Sequence, residues 1–219
     1  MGEQPMKLYL DSADIPAVAP LLHTGLFEGV TTNPLILQRA GVAPAHLPTL
    51  VQELIDAGAG SVFVQAVESD TDEIVAEGRR IVALGSNVIV KVPATRQGFA
   101  ATARLAHDGV PVLVTAVYHV RQAILANSAG AWGIAPYVGR MDDAGRDGLR
   151  QVEQMGAVLH GSETRVLAAS IRNADVVHEL ALQHCDAVTM STAVAEALFI
   201  DHLTDRAVAE FTEAARALT

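Results

Sequence analysis

Short β-branched apolar runs alternate along this chain with longer alanine- and leucine-rich segments, and the alternation repeats eight times. The strand candidates are Leu8–Leu10, Gly29–Thr32, Val62–Val67, Val88–Val92, Pro111–Val117, Trp132–Val138, Arg165–Ile171 and Asp186–Met190. Between them, helical spacing appears in Leu47–Leu54, Ile74–Leu84, Gly98–His107, Arg121–Ser128, Gly148–Leu159 and Ala174–Gln183. Each strand is nearly unbroken in apolar residues, as a parallel strand covered on both faces must be. Parallel neighbours need a crossover, and the intervening helices supply it. Eight such units in 219 residues predict an α/β fold, a (β/α)₈ TIM barrel near the lower size limit of that architecture. A doubly wound open sheet competes on periodicity. No G-x-G-x-x-G turn follows the first strand, which removes the main support for a dinucleotide site there. Two more helical patterns, Thr192–Ile200 and Thr204–Leu218, follow the last strand, and the second exceeds what barrel closure requires. An additional C-terminal helix over about 204–219, packing on a neighbouring subunit, is therefore expected.

With half of its residues hydrophobic and 18% charged, the chain can bury a large core, and no linker divides residues 1–219 into more than one domain. A formal net charge of −10 argues against a nucleic-acid partner. No uninterrupted apolar stretch is long enough to span a membrane, and a soluble, cytoplasmic protein is expected. Cys185 is the only cysteine, which excludes an internal disulfide and a thiolate cluster and suggests ordinary packing.

Polar residues near the C-terminal ends of apolar strands carry the functional signal, because burying an unpaired polar group costs a few kcal/mol. Asp11 follows the first strand, Thr31 and Asn33 end the second, and Gln65 sits in the third. Lys91 lies between Val90 and Val92, and Thr115 precedes Ala116 and Val117. Tyr137 and Arg140 close the sixth strand, and Ser170 and Arg172 the seventh. Alternation sets Thr31 with Asn33, Ala135 with Tyr137 and Ser170 with Arg172 on common faces, which a barrel can bring to one pocket. Lys91 is the sharpest of these. An ordinary lysine amine is neutral to only ~0.04% at pH 7, whereas desolvation lowers its pKa and frees the nucleophilic form. The competing structural role is an ion pair with Asp11. A metal-dependent aldolase finds poor support in the eight histidines (His23, His46, His107, His119, His160, His178, His184 and His202), since only His119 follows a strand end closely.

Five segments together resemble the small, single-domain transaldolase family, which includes the fructose-6-phosphate aldolases. They are Leu8-Tyr-Leu-Asp-Ser-Ala-Asp14, Gly29-Val-Thr-Thr-Asn-Pro34, Val90-Lys-Val-Pro-Ala-Thr95, Ala135-Pro-Tyr-Val-Gly-Arg140 and Val166-Leu-Ala-Ala-Ser-Ile-Arg172. The resemblance implies that Lys91 forms a Schiff base with the donor ketone and that Asp11 moves the proton of the hydroxyl at the breaking bond. It implies a catalytic water held by Gln65, Thr115 and Tyr137, sugar contacts from Thr31, Asn33 and Ser170, and phosphate contacts from Arg140 and Arg172. No metal and no other cofactor is implied, and the assembly is a pentamer-based ring, commonly a decamer.

Gln65, Tyr137 and Thr115-Ala-Val-Tyr118 look like the aldolase branch, whereas Gly139-Arg-Met-Asp-Asp143 and Ser170-Ile-Arg172 look like transaldolases proper. Weighting the residues near the reacting carbon, the expected activity is cleavage or formation of fructose 6-phosphate from dihydroxyacetone and glyceraldehyde 3-phosphate. The alternative is a transaldolase of the pentose phosphate pathway. A non-catalytic phosphosugar-binding barrel is the third reading. His119 departs from the small residue the family suggests, so it is expected to narrow the pocket or alter the acceptor.

Overall fold

The structure is a computed structural model that describes residues 5–183 and 185–218. His184, the first four residues and Thr219 lie outside the described residues. Eight parallel strands close into a barrel in sequence order: β1 Lys7–Asp11, β2 Phe27–Thr31, β3 Ser61–Gln65, β4 Val88–Pro93, β5 Val112–Val117, β6 Gly133–Pro136, β7 Arg165–Ala168 and β8 Ala187–Met190. β1 pairs with β8, so no sheet edge remains to be protected. The open-sheet alternative is thereby excluded. The helices between strands are α1 Ile15–Leu22, α2 Pro34–Arg39, α3 Leu47–Asp56, α4 Thr71–Val82, α5 Arg96–His107, α6 Val120–Ser128, α7 Val138–Asp143, α8 Gly148–Leu159 and α9 Ala174–Leu182. α10, Thr192–Ala197, and α11, His202–Ala217, complete the fold.

Two apolar cores result from strand alternation. Outward-facing residues such as Val30, Val62, Val90, Val114 and Ile134 pack against the helices, including Leu54, Leu105 and Met155. Inward-facing Tyr9, Phe63, Ile89, Leu113, Ala135, Leu167 and Ala187 fill the barrel's interior. Two residues further along each strand, the inward positions become Asp11, Gln65, Lys91, Thr115, Tyr137, Ala169 and Thr189, with Thr31 on β2. The barrel is thus apolar below and polar at its C-terminal rim, where barrel enzymes place their chemistry.

Local chemistry explains the ends of these elements. Asp14, Asn33, Asp70, Thr95, Asp147, Asn173, Ser191 and Asp201 each accept a backbone N–H at a helix start. β6 is shorter than expected because Val138 begins α7, leaving Tyr137 in a single bridge to Ala169. β7 likewise stops at Ala168, and Ser170 adopts φ 60°. Cys185 is buried, its thiol pushed up to about 11 by desolvation, in keeping with ordinary packing. No described helix is long and apolar enough to cross a membrane.

Candidate active site

β4 carries Lys91 into the polar rim, where the side chain is 4% exposed. Its Nζ donates to the carbonyl of Thr32 at 2.6 Å. Burial pushes the amine below its ordinary pKa, and the negative charge of Asp11 opposes that shift only in part. Among the described residues, no ion pair joins Asp11 to Lys91. Asp11 instead accepts the Thr31 hydroxyl at 2.6 Å, and Thr31 Oγ1 lies 2.7 Å from Thr189 Oγ1. A hydroxyl has one proton; with that of Thr31 given to the carboxylate, Thr189 must donate to Thr31. The three residues, on adjacent strands β8, β1 and β2, form a directed chain ending on Asp11.

A narrow cavity of about 120 Å³ opens over Lys91 at this rim. Asp11, Thr31, Thr189 and Tyr137 line its depth, and Asn33, Ser170, Arg39 and Arg140 also contribute. Leu35 and Ile36 of α2 supply an apolar wall. The Asn33 side-chain carbonyl is committed to the backbone N–H groups of Leu35 and Ile36, so its amide N–H₂ is the group left for a ligand. Tyr137 Oη lies 3.0 Å from Thr115 Oγ1, and burial raises the phenol's pKa. The Arg140 guanidinium sits 4.8 Å from the centroid of the Tyr137 ring. Gln65 stands beside Lys91 in the β3–β4 register, but neither it nor Thr115 lines the cavity itself.

Arg172 stands apart from the residues that line the cavity. The left-handed conformation of Ser170 breaks the alternation that set the two on one face. Arg172 does not line the cavity; it forms an ion pair with Asp143 at the end of α7. Its stem also crosses Gly139, where a Cβ would come within 2.5 Å of Arg172 Nε and of the Ser170 carbonyl. Arg172 thus lies against the helix that bears Arg140. His119 departs from its expected place at the pocket. It N-caps α6, accepting from Arg121 N–H at 3.3 Å in a capping box with Gln122, and is absent from the cavity wall.

Sequence reasoning missed Thr189, Arg39, Leu35 and Ile36. Thr189 obeys the rule that found the others, a polar residue near the end of an apolar strand, but β-branched threonine is also an ordinary strand former. The α2 residues carried no such signal. A wider cleft of about 610 Å³ at the N-terminal ends of β7 and β8 lacks convergent chemistry. There Arg165 is stacked on Trp132 and Asp186 accepts from Val166 N–H, so both are occupied as scaffold.

A family model described as Transaldolase/Fructose-6-phosphate aldolase matches residues 8–219. The chain belongs to that family. A probable transaldolase from Caulobacter sp. (strain K31) is 37% identical over 208 residues, covering 94% of each chain. One from Leptospira biflexa serovar Patoc is 35% identical over 215 residues, covering 97% of this chain and 99% of its own. Among solved structures, a thiamine phosphate pyrophosphorylase from Pyrococcus furiosus superposes with a TM-score of 0.58 at 17% identity, covering 86% of this chain and 87% of its own. At that identity the likeness speaks for the barrel alone. Membership makes the chain an enzyme of aldolase or transaldolase type.

Proposed function

We propose that this family member is a transaldolase, which carries a dihydroxyacetone unit on Lys91 from a ketose phosphate to an aldose phosphate. The buried, desolvated amine at the C-terminal end of a barrel strand supports the Schiff-base chemistry, and the relatives' names favour transfer over the fructose 6-phosphate cleavage weighted by sequence. In this mechanism neutral Lys91 attacks the ketone carbon, and loss of water leaves an iminium. Asp11 takes the proton of the hydroxyl at the breaking bond as the aldose departs, and the electron pair enters the iminium to give an enamine. The enamine then adds to an acceptor aldehyde, which takes the proton back, and hydrolysis frees Lys91. Gln65, Thr115 and Tyr137 hold the water that shuttles protons, while Thr31, Asn33 and Ser170 orient the sugar. Arg140 meets the phosphate.

Borohydride in the presence of dihydroxyacetone or fructose 6-phosphate is expected to add a stable mass to the Lys91 peptide, with turnover indifferent to chelators. Peptide mass spectrometry without any adduct under turnover conditions overturns this reading. A specific observation keeps release of free dihydroxyacetone as a second reading: Tyr137 and Thr115 are hydrogen-bonded hydroxyls beside the amine's cavity, well suited to delivering a proton to the enamine.

The substrates are soluble sugar phosphates, which suits a cytoplasmic enzyme. Oligomerisation through α11 belongs to the same proposal. No residue of this 16-residue helix is buried, and Val208, Phe211 and Leu218 expose an apolar stripe at helical spacing. A neighbouring copy in a pentamer-based ring, up to a decamer, covers it. Deleting residues 204–219 is expected to lower the native mass; an unchanged mass distribution by light scattering removes the helix as the clasp.

A further inference from the structure

Asp11 has to take a proton and give it back, and a lone aspartate is poorly fixed for that task, because the torsion that sets its carboxylate plane is broad and two-fold. One hydrogen bond fixes it here. The Thr31 hydroxyl donates to Oδ1 at 2.6 Å, while Oδ2 carries no hydrogen bond among the described residues. Thr31 is in turn set by Thr189. Thr189 stands opposite Tyr9 in the β1–β8 register and Thr31 opposite Asp11 in the β1–β2 register, so their 2.7 Å link crosses the barrel interior in front of β1. Both threonines line the cavity wall, and they are 2% and 0% exposed. The Thr189 hydroxyl has no other partner among the described residues, and a buried hydroxyl is costly to leave unpaired, so its single proton goes to Thr31.

We propose that Thr189 is a positioning residue for the proton transfer at Asp11: by donating to Thr31 it directs the Thr31 proton onto Oδ1 and leaves Oδ2 to face the substrate hydroxyl. This rests on the Schiff-base reading above. In cleavage, the hydroxyl proton at the breaking bond passes to Oδ2, the electrons of that O–H bond form the aldehyde carbonyl, and the carbon–carbon pair enters the iminium. Addition to an acceptor runs the same step backwards from Oδ2. Oδ1 keeps the Thr31 proton throughout, so the carboxylate need not turn between taking and returning. Linked hydroxyls polarise one another, and a Thr31 oxygen that accepts from Thr189 is the stronger donor to Asp11. Without that proton, Thr31 keeps its acceptor but loses the partner that fixes its direction. The competing role for Thr189 is strand packing alone, which a valine serves equally well.

The test compares the parent protein with Thr189→Val, which keeps the branched shape and removes the hydroxyl, and Thr189→Ser, which keeps the hydroxyl. Thr189→Val is expected to lower kcat for transfer from fructose 6-phosphate to erythrose 4-phosphate by about tenfold with KM little changed, and Thr189→Ser to recover most of the loss. Borohydride reads which step is affected. Dihydroxyacetone, which has no bond to cleave, should be trapped on Lys91 at the parent rate in both variants. With fructose 6-phosphate, the adduct of the whole hexose phosphate should grow at the expense of the dihydroxyacetone adduct in Thr189→Val, because cleavage is slowed after the imine has formed. In an Asp11→Asn background, Thr189→Val should cost less than about twofold more, since the carboxylate it serves is gone. Thr189→Ala carries the same expectations if urea denaturation shows that the valine variant does not fold. An unchanged ratio of the two adducts, a serine variant no better than the valine one, or losses that multiply with those of Asp11→Asn overturn the proposal. If the parent traps no imine, the Schiff-base reading falls, while the cycle with Asp11→Asn still decides whether Thr189 acts through Asp11.

Discussion

Lys91→Met is expected to abolish turnover and, separately, to flatten the pH dependence of stability below the ordinary lysine pKa. Activity should fall by about four orders of magnitude or more, some 5 kcal/mol of transition-state stabilisation, because no neighbouring group replaces the amine as nucleophile. The stability effect follows from burial. In the folded protein the amine's pKa is depressed below 10.5 by desolvation, while in the unfolded chain it is ordinary, so the unfolded state holds the proton to higher pH. Stability of the parent therefore rises with pH between the folded and unfolded values, and the penalty for burying the ammonium is lost by the upper end of that window. Methionine has no such titration. The unfolding free energy of Lys91→Met minus that of the parent is expected to decrease steadily as pH climbs toward 10.5. A constant offset remains, because the Thr32 carbonyl loses its donor, at a cost of about 1–3 kcal/mol. Urea denaturation at several pH values reads both quantities. Parallel stability curves show that the amine is not desolvated, and retained turnover shows that it is not the nucleophile.

The barrel was legible because strand alternation has a period of two and each buried strand leaves a continuous apolar run. The same period exposed Asp11, Thr31, Gln65, Lys91, Thr115 and Tyr137 as a polar layer two residues beyond the apolar one. Legibility failed where the backbone departs from that period. Ser170, with φ 60°, turns the chain so that Arg172 leaves the face it was expected to share. Nothing in Ala-Ser-Ile-Arg announces a left-handed serine, since glycine is the residue that ordinarily marks one. Ala116, at φ 55°, distorts β5 in the same way near a register shift against β6.

Helices over the barrel mouth were harder to place than strands. Periodicity located α3 through α6 but passed over α2, a helix of six residues too short to show an amphipathic stripe. Its position over the cavity follows from Pro34 at its start and from Asn33 as cap, a tertiary consequence that spacing does not carry. Arg39 and the apolar wall beside it were therefore invisible. His119 was conspicuous for the opposite reason. A histidine just past a strand end suggests chemistry, yet Gln122 three residues on marks a capping box, and helix initiation accounts for it.

Transfer and release differ in the fate of one enamine, and Tyr137→Phe is expected to separate them. Capture by an acceptor needs an open cavity and a proton returned by Asp11, whereas release needs the enamine carbon itself to be protonated and the imine hydrolysed. Tyr137 supplies the only phenol lining the cavity among the described residues; its hydroxyl is 3.0 Å from Thr115 and its ring lies beneath the Arg140 guanidinium. Burial raises its pKa, so it stays protonated at neutral pH and can donate through the water we propose it shares with Gln65. Removing the hydroxyl keeps the ring and its cation–π contact but takes away the hydroxyl that lies 3.0 Å from Thr115 Oγ1. Release of free dihydroxyacetone is expected to slow by about tenfold or more, equivalent to about 1.4 kcal/mol, with transfer to erythrose 4-phosphate reduced much less. Gln65→Glu should shift the balance the same way, since a carboxylate makes the water a better acceptor. If the two residues hold one water, as proposed, their effects should not add. Measuring dihydroxyacetone release with and without erythrose 4-phosphate decides the matter. A parent protein that releases faster than it transfers would return the first choice to fructose 6-phosphate cleavage, and an unchanged release rate in Tyr137→Phe would take proton delivery away from this residue.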